Sequence, residues 1–433
     1  MNNQKKILIL AYFFPPCNLT GSYRVYSFAK YLHLFGYYPI VITRKWDHPI
    51  SELKDMSMPV GGEIIIEKHE TYEVHYLPYW GNLKDKIYIK YGDNRFVFIR
   101  KILSLWELVF RNYFNSVVPF HNIYDYASDY LKNNKDIKLI LTSGLPYILF
   151  RFCYLLNRKH HIKWIADYRD EWTSNEWNQD FNRSQRLINR LESSSEKKWL
   201  KTAACTTTVS ELWAKNLQNF LNIPSFTIFN GYDEDDYNLV EPIPLNNEFT
   251  IIYNGSLYYR QEIEIFLDGF KLFLSEFNDC YPVKLIFLGM GFDPIASKRV
   301  KAALVGYERY YTITGRISKN NVIETQIRSH LFLLIPPNNI SGCTTSKIFE
   351  YFACNKNILL CPGDNDIEEE LIRKTHTGFI ANTSSEVSDL LRKLVKEYYQ
   401  TGENQYLPNK KEIEFFTRKN QTKHLSLIMD RYL

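Results

Sequence analysis

The feature that most constrains the fold is an alternation of short apolar runs with amphipathic segments that runs its course and then begins again. "KILILAYF" (residues 6–13) reads as a buried strand, "SYRVYSFAKYLHLFG" as a helix ending at Gly36, and "YPIVITRK" as the next strand. "EIIIEKH", "EVHYLPY", "KLILTSGLP", "KWIADYRDEW", "AACTTTVS" and "SFTIFNG" continue the series. After the acidic stretch "YDEDDYNLVEPIPLNNE" the pattern restarts with "FTIIYNGSL", the helix "EIEIFLDGFKLFLSEF", "VKLIFLGMG", "YYTITGRIS", "LFLLIPP" and "KNILLCPG". Runs apolar throughout, spaced by helices, belong to parallel sheets covered on both faces. Two such series predict an α/β chain of two Rossmann-like domains, since 433 residues exceed one ordinary core. The domains are expected at 1–235 and 245–408, with a linker near 232–248 and a terminal helix within 409–433.

Composition excludes several function classes. A net charge of +5 does not argue for nucleic acid. The seven cysteines (17, 153, 205, 280, 343, 354 and 361) are scattered and never spaced CxxC, which reads as reduced thiols rather than a disulfide or zinc framework. His69, His75 and His121 lack ligand spacing, so no protein-held metal is expected. "MNNQKKILILAYFFPP" lacks a cleavage site, and no run approaches the ~20 apolar residues that cross a bilayer. A cytoplasmic protein is expected. The 16% aromatic share asks for ring-lined surfaces. Much of it falls in "KDKIYIKYGDNRFVFIRKILSLWELVFR" (residues 84–111), where Ile102, Leu103, Leu105, Trp106, Val109 and Phe110 share one helical face. A core helix gives this pattern, and so does a peripheral membrane contact, because basic residues beside Trp and Phe suit anionic lipid.

Candidate chemistry collects at strand ends, where ligands of doubly wound sheets bind. In "SGCTTSKIFEYFACNKNILLCPG" a helix opens on Thr344, Thr345 and Ser346, and Lys347 and Glu350 share a face one turn in. Helix N-termini suit phosphate, and a carboxylate can grip a ribose diol. Alternatively, Lys347 and Glu350 are a surface ion pair worth about 0.2–0.5 kcal/mol. "NGSLYYRQE" sets Gly255 and Ser256 at a turn with Arg260 beyond, and "ITGRIS" carries Arg316 and Ile317. In the first half, Gly21 and Ser22 enter a helix bearing Arg24, without a Walker P-loop or a GxGxxG pattern. "WIADYRDEW" crowds Asp167, Arg169, Asp170 and Glu171 between Trp164 and Trp172, with Ser143 in the neighbouring "SGLPY". These residues are read either as a self-satisfied cluster or as a polar floor for a sugar with tryptophan walls. The acidic "DEDD" (residues 233–236) reads as a solvated run in the linker.

Together these stretches resemble GT-B glycosyltransferases, specifically the retaining family 4. "KILILAYFFPPCNLTGSYRVYSFAKYL", "IFNGYDEDDY", "NGSLYYRQEIEIFLDGF", "LIFLGMG" and "TSKIFEYFACNKNILL" carry the likeness, and "DYRDEW" is similar to a motif of a bacterial surface-polysaccharide subgroup. The resemblance implies two domains facing across a cleft, with the terminal helix crossing back to the first. It implies a sugar transferred with retention from a nucleotide-sugar, UDP-linked as a first expectation, to a hydroxyl of a glycan or polyprenyl-linked acceptor in capsule or lipopolysaccharide biosynthesis. No cofactor or metal is implied.

By the same resemblance Glu350 holds the donor ribose, and Gly255, Ser256 and Arg260 lie at the diphosphate. Lys347 supplies a charge missing at Gln261 and Glu262. Arg316 and Ile317 flank the base, Gly21 and Ser22 close over the donor, and Thr344 and Thr345 belong to the donor site. Arg260, Lys347 and Asp170 are the expected catalytic groups, and Ser143, Trp164, Asp167, Arg169 and Trp172 the acceptor side. One departure stands out: the family's first motif glutamate falls at Gly342, which leaves the amides of 342–344 to read the sugar. Two other readings use similar sequence features, a non-hydrolysing sugar-nucleotide 2-epimerase and a non-catalytic nucleotide-sugar-binding scaffold.

Overall fold

A computed structural model of the chain describes residues 4–176, 181–238, 243–277 and 281–433. Part of the expected linker (239–242) and Cys280 lie outside the described residues. The chain divides into two compact units, residues 1–229 with 421–433, and residues 230–420.

The first unit holds an eight-stranded sheet in the order β3-β4-β2-β1-β5-β6-β7-β8. Its strands are β1 Lys5–Leu10, β2 Tyr37–Arg44, β3 Ile65–Lys68, β4 Glu73–Leu77, β5 Leu139–Ser143, β6 Lys163–Tyr168, β7 Cys205–Thr208 and β8 Ser225–Thr227. All pairings are parallel except β3 with β4. Side chains alternate across a pleated strand. Accordingly Leu8 and Leu10 of β1 enter one apolar cluster, while Ile7 and Ile9 enter a second on the other face. Leu425, Ile428 and Met429 of the helix Arg418–Asp430 complete that second cluster. Asp430 at its end accepts from Lys5 (2.8 Å) and from the Tyr37 hydroxyl (2.7 Å), so the terminal helix returns to the first unit.

The second unit holds six parallel strands in the order β11-β10-β9-β12-β13-β14. These are β9 Phe249–Asn254, β10 Val283–Leu288, β11 Tyr311–Ile313, β12 Leu331–Leu334, β13 Asn357–Leu360 and β14 Gly378–Ile380. The short β14 carries a glycine at its start and escaped the sequence reading.

Two expectations are corrected. The acidic run is not a linker: Glu234–Asn238 is a short helix inside the second unit, where Glu234 and Asp235 are exposed as expected but Asp236 pairs with Lys319 at 2.5 Å and Asp233 is buried. Nor does 84–111 form a core helix. Gly92, with a φ of 75°, ends a helix Leu83–Tyr91, and a second helix runs Val97–Phe110 with no buried residue. Much of the aromatic excess is internal instead. The Arg44 guanidinium, for example, stacks within 4.0 Å of the Trp46 ring centroid and 3.5 Å of that of Tyr79.

Candidate functional site

In the second unit, the helix Ser346–Ala353 is tied to the end of β9 through three residues of one face. Lys347 donates to the Tyr253 hydroxyl (2.9 Å) and to the Ser256 carbonyl (3.3 Å), with its ammonium 4.4 Å from the Tyr253 ring centroid. Glu350 accepts from Asn254 Nδ2 at 3.1 Å, and the Tyr351 hydroxyl accepts from the Asn254 amide at 3.1 Å. Positions i, i+3 and i+4 of a helix face one way, which is why a single strand end meets all three. Lys347 and Glu350 therefore do not form the surface ion pair that the sequence also allowed. Burial raises the Glu350 carboxyl above its ordinary range, against the opposing pull of Arg418, Gln326, Lys319 and Lys347. Arg418 escaped the sequence reading because it lies 68 residues away. It reaches the site because it donates to the Gly231 carbonyl (2.9 Å) and its amide to the Tyr232 carbonyl (2.8 Å).

The loop before this helix is shaped by two acids of a following segment, Asp366 and Glu368. Gly342 sits at a φ of 69°, a left-handed conformation that strains any side chain, and its amide donates to Asp366. That geometry accounts for glycine rather than glutamate at this position. It also corrects one expectation: the Gly342 amide is already engaged, so it is not free to read a sugar. The Thr345 amide donates to Glu368 Oε1 at 2.8 Å. Glu368 is fully buried, and its carboxyl is pushed up to about 7, chiefly by that burial. The Thr344 hydroxyl is buried with no hydrogen-bond partner. Buried polar atoms are rarely left so, and each omission costs about 1–3 kcal/mol.

The remaining donor-side residues are arranged around the other strand ends of this unit. The Gly255 amide donates to the Leu288 carbonyl (2.7 Å), which fixes the turn after β9. Arg260 donates to the Tyr259 hydroxyl (3.0 Å) and the Asn339 carbonyl (3.3 Å), bringing the loop after β9 to the loop after β12. Arg316 is exposed, its guanidinium 4.3 Å from the Phe292 ring centroid, and Ile317 beside it is also exposed.

The first unit gathers its candidates differently. Asp167, fully buried, receives Arg24 on both oxygens (2.9 and 2.7 Å), Ser143 Oγ (2.9 Å) and Thr207 Oγ1 (2.8 Å). Four elements thus meet on one carboxylate, and Asp167 and Ser143 are corrected from acceptor contacts to a closed internal network. Trp164 is likewise no sugar wall: it is fully buried in the core and its ring N–H donates to Thr202 (3.0 Å). Trp172 stacks face to face on Tyr147, centroids 4.8 Å apart, and is buried too. Ser22 also turns inward, donating to the carbonyls of Cys17 (2.6 Å) and Leu19 (2.8 Å). Arg169, Asp170 and Gly21 remain together and less buried. Arg169 donates to Asp170 Oδ2 through two nitrogens, at 2.8 and 2.6 Å, and its Nη1 lies where a Cβ on residue 21 would come within 2.5 Å. Only glycine leaves that guanidinium its place. Nearby, burial pushes Glu171 up to about 8 and Glu196 up to about 7; Glu196 accepts from Tyr168 (2.8 Å) and from Thr173.

Among the described residues, no three His, Cys, Asp or Glu side chains are placed to hold a metal, and no helix is long and apolar enough to cross a membrane.

No family profile matches the chain, and no curated protein does. Solved structures match along nearly its whole length at low identity. A sucrose-phosphate synthase from Thermosynechococcus elongatus is 12% identical, with 99% of each chain covered and a TM-score of 0.62. A glycosyltransferase from Rickettsia africae is 14% identical, covering 99% of this chain and 98% of its own, with a TM-score of 0.61. Anabaena HepE in complex with UDP and glucose is 11% identical, covering 99% and 100%, with a TM-score of 0.60. The fold is therefore GT-B, two α/β units, one built on a parallel sheet and the other on a sheet that is parallel but for its edge strand.

Proposed function

We propose that the chain transfers a sugar from a nucleotide-sugar to a hydroxyl. The observation that carries this reading is the β9 end with its facing helix, where Lys347 and Glu350 meet one strand end and the Thr344 hydroxyl is buried and unmatched. A diphosphate would supply an acceptor oxygen for the Thr344 hydroxyl and a counter-charge for the Lys347 ammonium, which now meets only neutral oxygens, and a ribose diol would supply donors for a carboxylate. The GT-B neighbour HepE, held with UDP and glucose, supports a UDP-linked donor.

The leaving diphosphate gathers charge as the glycosidic bond to it breaks. Lys347, Arg260 and the N-terminus of the helix Ser346–Ala353 stabilise that charge, a preorganised electrostatic contribution. The acceptor hydroxyl gives up its proton as the new bond forms. In a retaining reaction the departing phosphate takes it on the same face, and no metal enters. Gly255, Ser256, Arg316 and Ile317 would border the donor, Gly21 would cover it, and Arg169 and Asp170 are the groups left to meet the acceptor. The acceptor we propose is a glycan or lipid-linked oligosaccharide of surface-polysaccharide biosynthesis, at the inner face of the cell membrane, as in the family 4 subgroup that "DYRDEW" resembles. The epimerase reading has nothing further in its favour. The positive φ of Gly342 gives a backbone reason for glycine at this position, and nucleotide binding without turnover would favour the scaffold reading.

Calorimetric titration of UDP, GDP, ADP and CMP into the wild type and Glu350→Ala tests the donor site. One nucleotide should bind, and the substitution should weaken it about tenfold, the worth of one hydrogen bond to a charged group. A well-folded protein that binds none of the four sinks the proposal.

A further inference from the structure

The helix Val97–Phe110 is mounted inside out. Three polar residues are held by the protein: Glu107 accepts from Lys84 (3.0 Å) and Asn82 (3.1 Å), Arg100 pairs with Asp93 (3.1 Å), and Arg111 just beyond the helix pairs with Glu192 (2.7 Å), while Lys101 and Ser104 are exposed. Its apolar residues face away. Phe98, Ile99, Ile102, Leu105, Trp106, Val109 and Phe110 are between 37% and 74% exposed, and at 100° per residue they occupy one arc that carries no charge. Tyr113 (74%) and Phe114 (57%) extend the arc. Scattered exposed apolar residues are ordinary, but a contiguous face of this length needs an occupant.

Charge names the occupant. Within residues 83–111 every acidic side chain is engaged: Asp85 by Tyr79 (2.9 Å) and Ser57 (3.1 Å), Asp93 by Arg100 and Glu107 by Lys84. Lys86, Lys90, Arg95 and Lys101 are exposed and form no ion pair among the described residues. Beyond Glu192, which Arg111 holds, the helix Arg183–Leu200 adds exposed Leu187 and Leu191 interleaved with exposed Arg183, Arg186 and Arg190. An apolar arc with an unneutralised basic border complements an anionic bilayer surface, with Trp106 at the depth where indoles settle. Two copies pairing through the same face would instead set like charges against each other.

We infer that the helix pair Leu83–Tyr91 and Val97–Phe110 is a membrane dock, inserted by its apolar arc into the headgroup region of anionic lipid. The inference does not depend on the donor site. It is tested with the intact protein, by sedimentation with phosphatidylcholine vesicles and with vesicles containing phosphatidylglycerol, while Trp fluorescence is recorded. Binding should favour the anionic vesicles by at least about tenfold, with a blue shift that Trp106→Ser removes. The pair Phe98→Ser and Trp106→Ser, both exposed, should abolish binding while leaving the melting temperature unchanged. Lys90→Gln with Lys101→Gln should weaken it by about fivefold per charge. Failure to bind anionic vesicles overturns the dock, as does binding unchanged by these substitutions. Light scattering that shows a dimer abolished by Phe98→Ser and Trp106→Ser, with no vesicle binding, would overturn it in favour of a second copy.

Discussion

Two polar clusters, around Asp167 in the first unit and around Thr344 in the second, differ in how far their hydrogen bonding is completed. In the first, Asp167 is saturated by Arg24, Ser143 and Thr207, and nothing on it remains to offer a ligand. In the second, the Thr344 hydroxyl is buried without a partner, and Lys347 leans on a tyrosine hydroxyl and a carbonyl rather than on a carboxylate. Both regions looked alike as sequence, a run of polar residues after an apolar strand. Completed hydrogen bonding makes the Asp167 cluster part of the frame, and the unmatched Thr344 hydroxyl is one of the features on which we propose a donor site in the second unit.

The hardest test of this contrast is Asp167→Ala. It strands the buried Arg24 guanidinium, whose side chain is 5% exposed, and should cost about 3–5 kcal/mol in urea unfolding. A loss below about 1 kcal/mol would mean the network does not hold the first unit together. Next comes pH. Glu171, Glu196 and Glu368 have folded values near 8, 7 and 7, above the ordinary 4.5 they regain on unfolding. Between those values the folded chain binds the extra protons, so their contribution is complete below about pH 4.5 and fades as pH rises towards 8. Stability should fall across that window by up to about 1.4 kcal/mol per pH unit for each group, and Glu196→Gln should flatten the profile. A profile unchanged by Glu196→Gln would show that this carboxyl does not titrate there. The smallest effect sharpens the comparison most. Thr344→Val removes an unmatched hydroxyl, so it should leave stability within about 1 kcal/mol or raise it, yet weaken nucleotide binding severalfold. If stability falls and binding holds, Thr344 belongs to the frame after all.

Much of the fold was legible because the parallel strands are apolar on both faces, a pattern that does not depend on distant residues. The break at Gly92 is marked in the sequence by the polar run Gly92-Asp93-Asn94-Arg95, but the exposure of the following apolar face is not, because an amphipathic period reads the same on a core helix and on a surface one. Trp164 was misplaced for a related reason: sequence proximity to Asp167 and Arg169 says nothing about which side of β6 a ring occupies. Lys347 and Glu350 could be paired from helical spacing alone. Glu368 and Arg418 could not, since their part rests on contacts that the chain closes only across tens of residues.

The return of residues 421–433 to the first unit has a consequence for the order of events during translation. The cluster that contains Ile7 and Ile9 lacks Leu425, Ile428 and Met429 until residues 421–433 have left the ribosome. The second unit, continuous from 230 to 420, can finish folding before the first does. For as long as its closing helix is still being synthesised, the apolar face of β1 stands open, which makes the nascent first unit the part of this protein that a chaperone would be expected to hold.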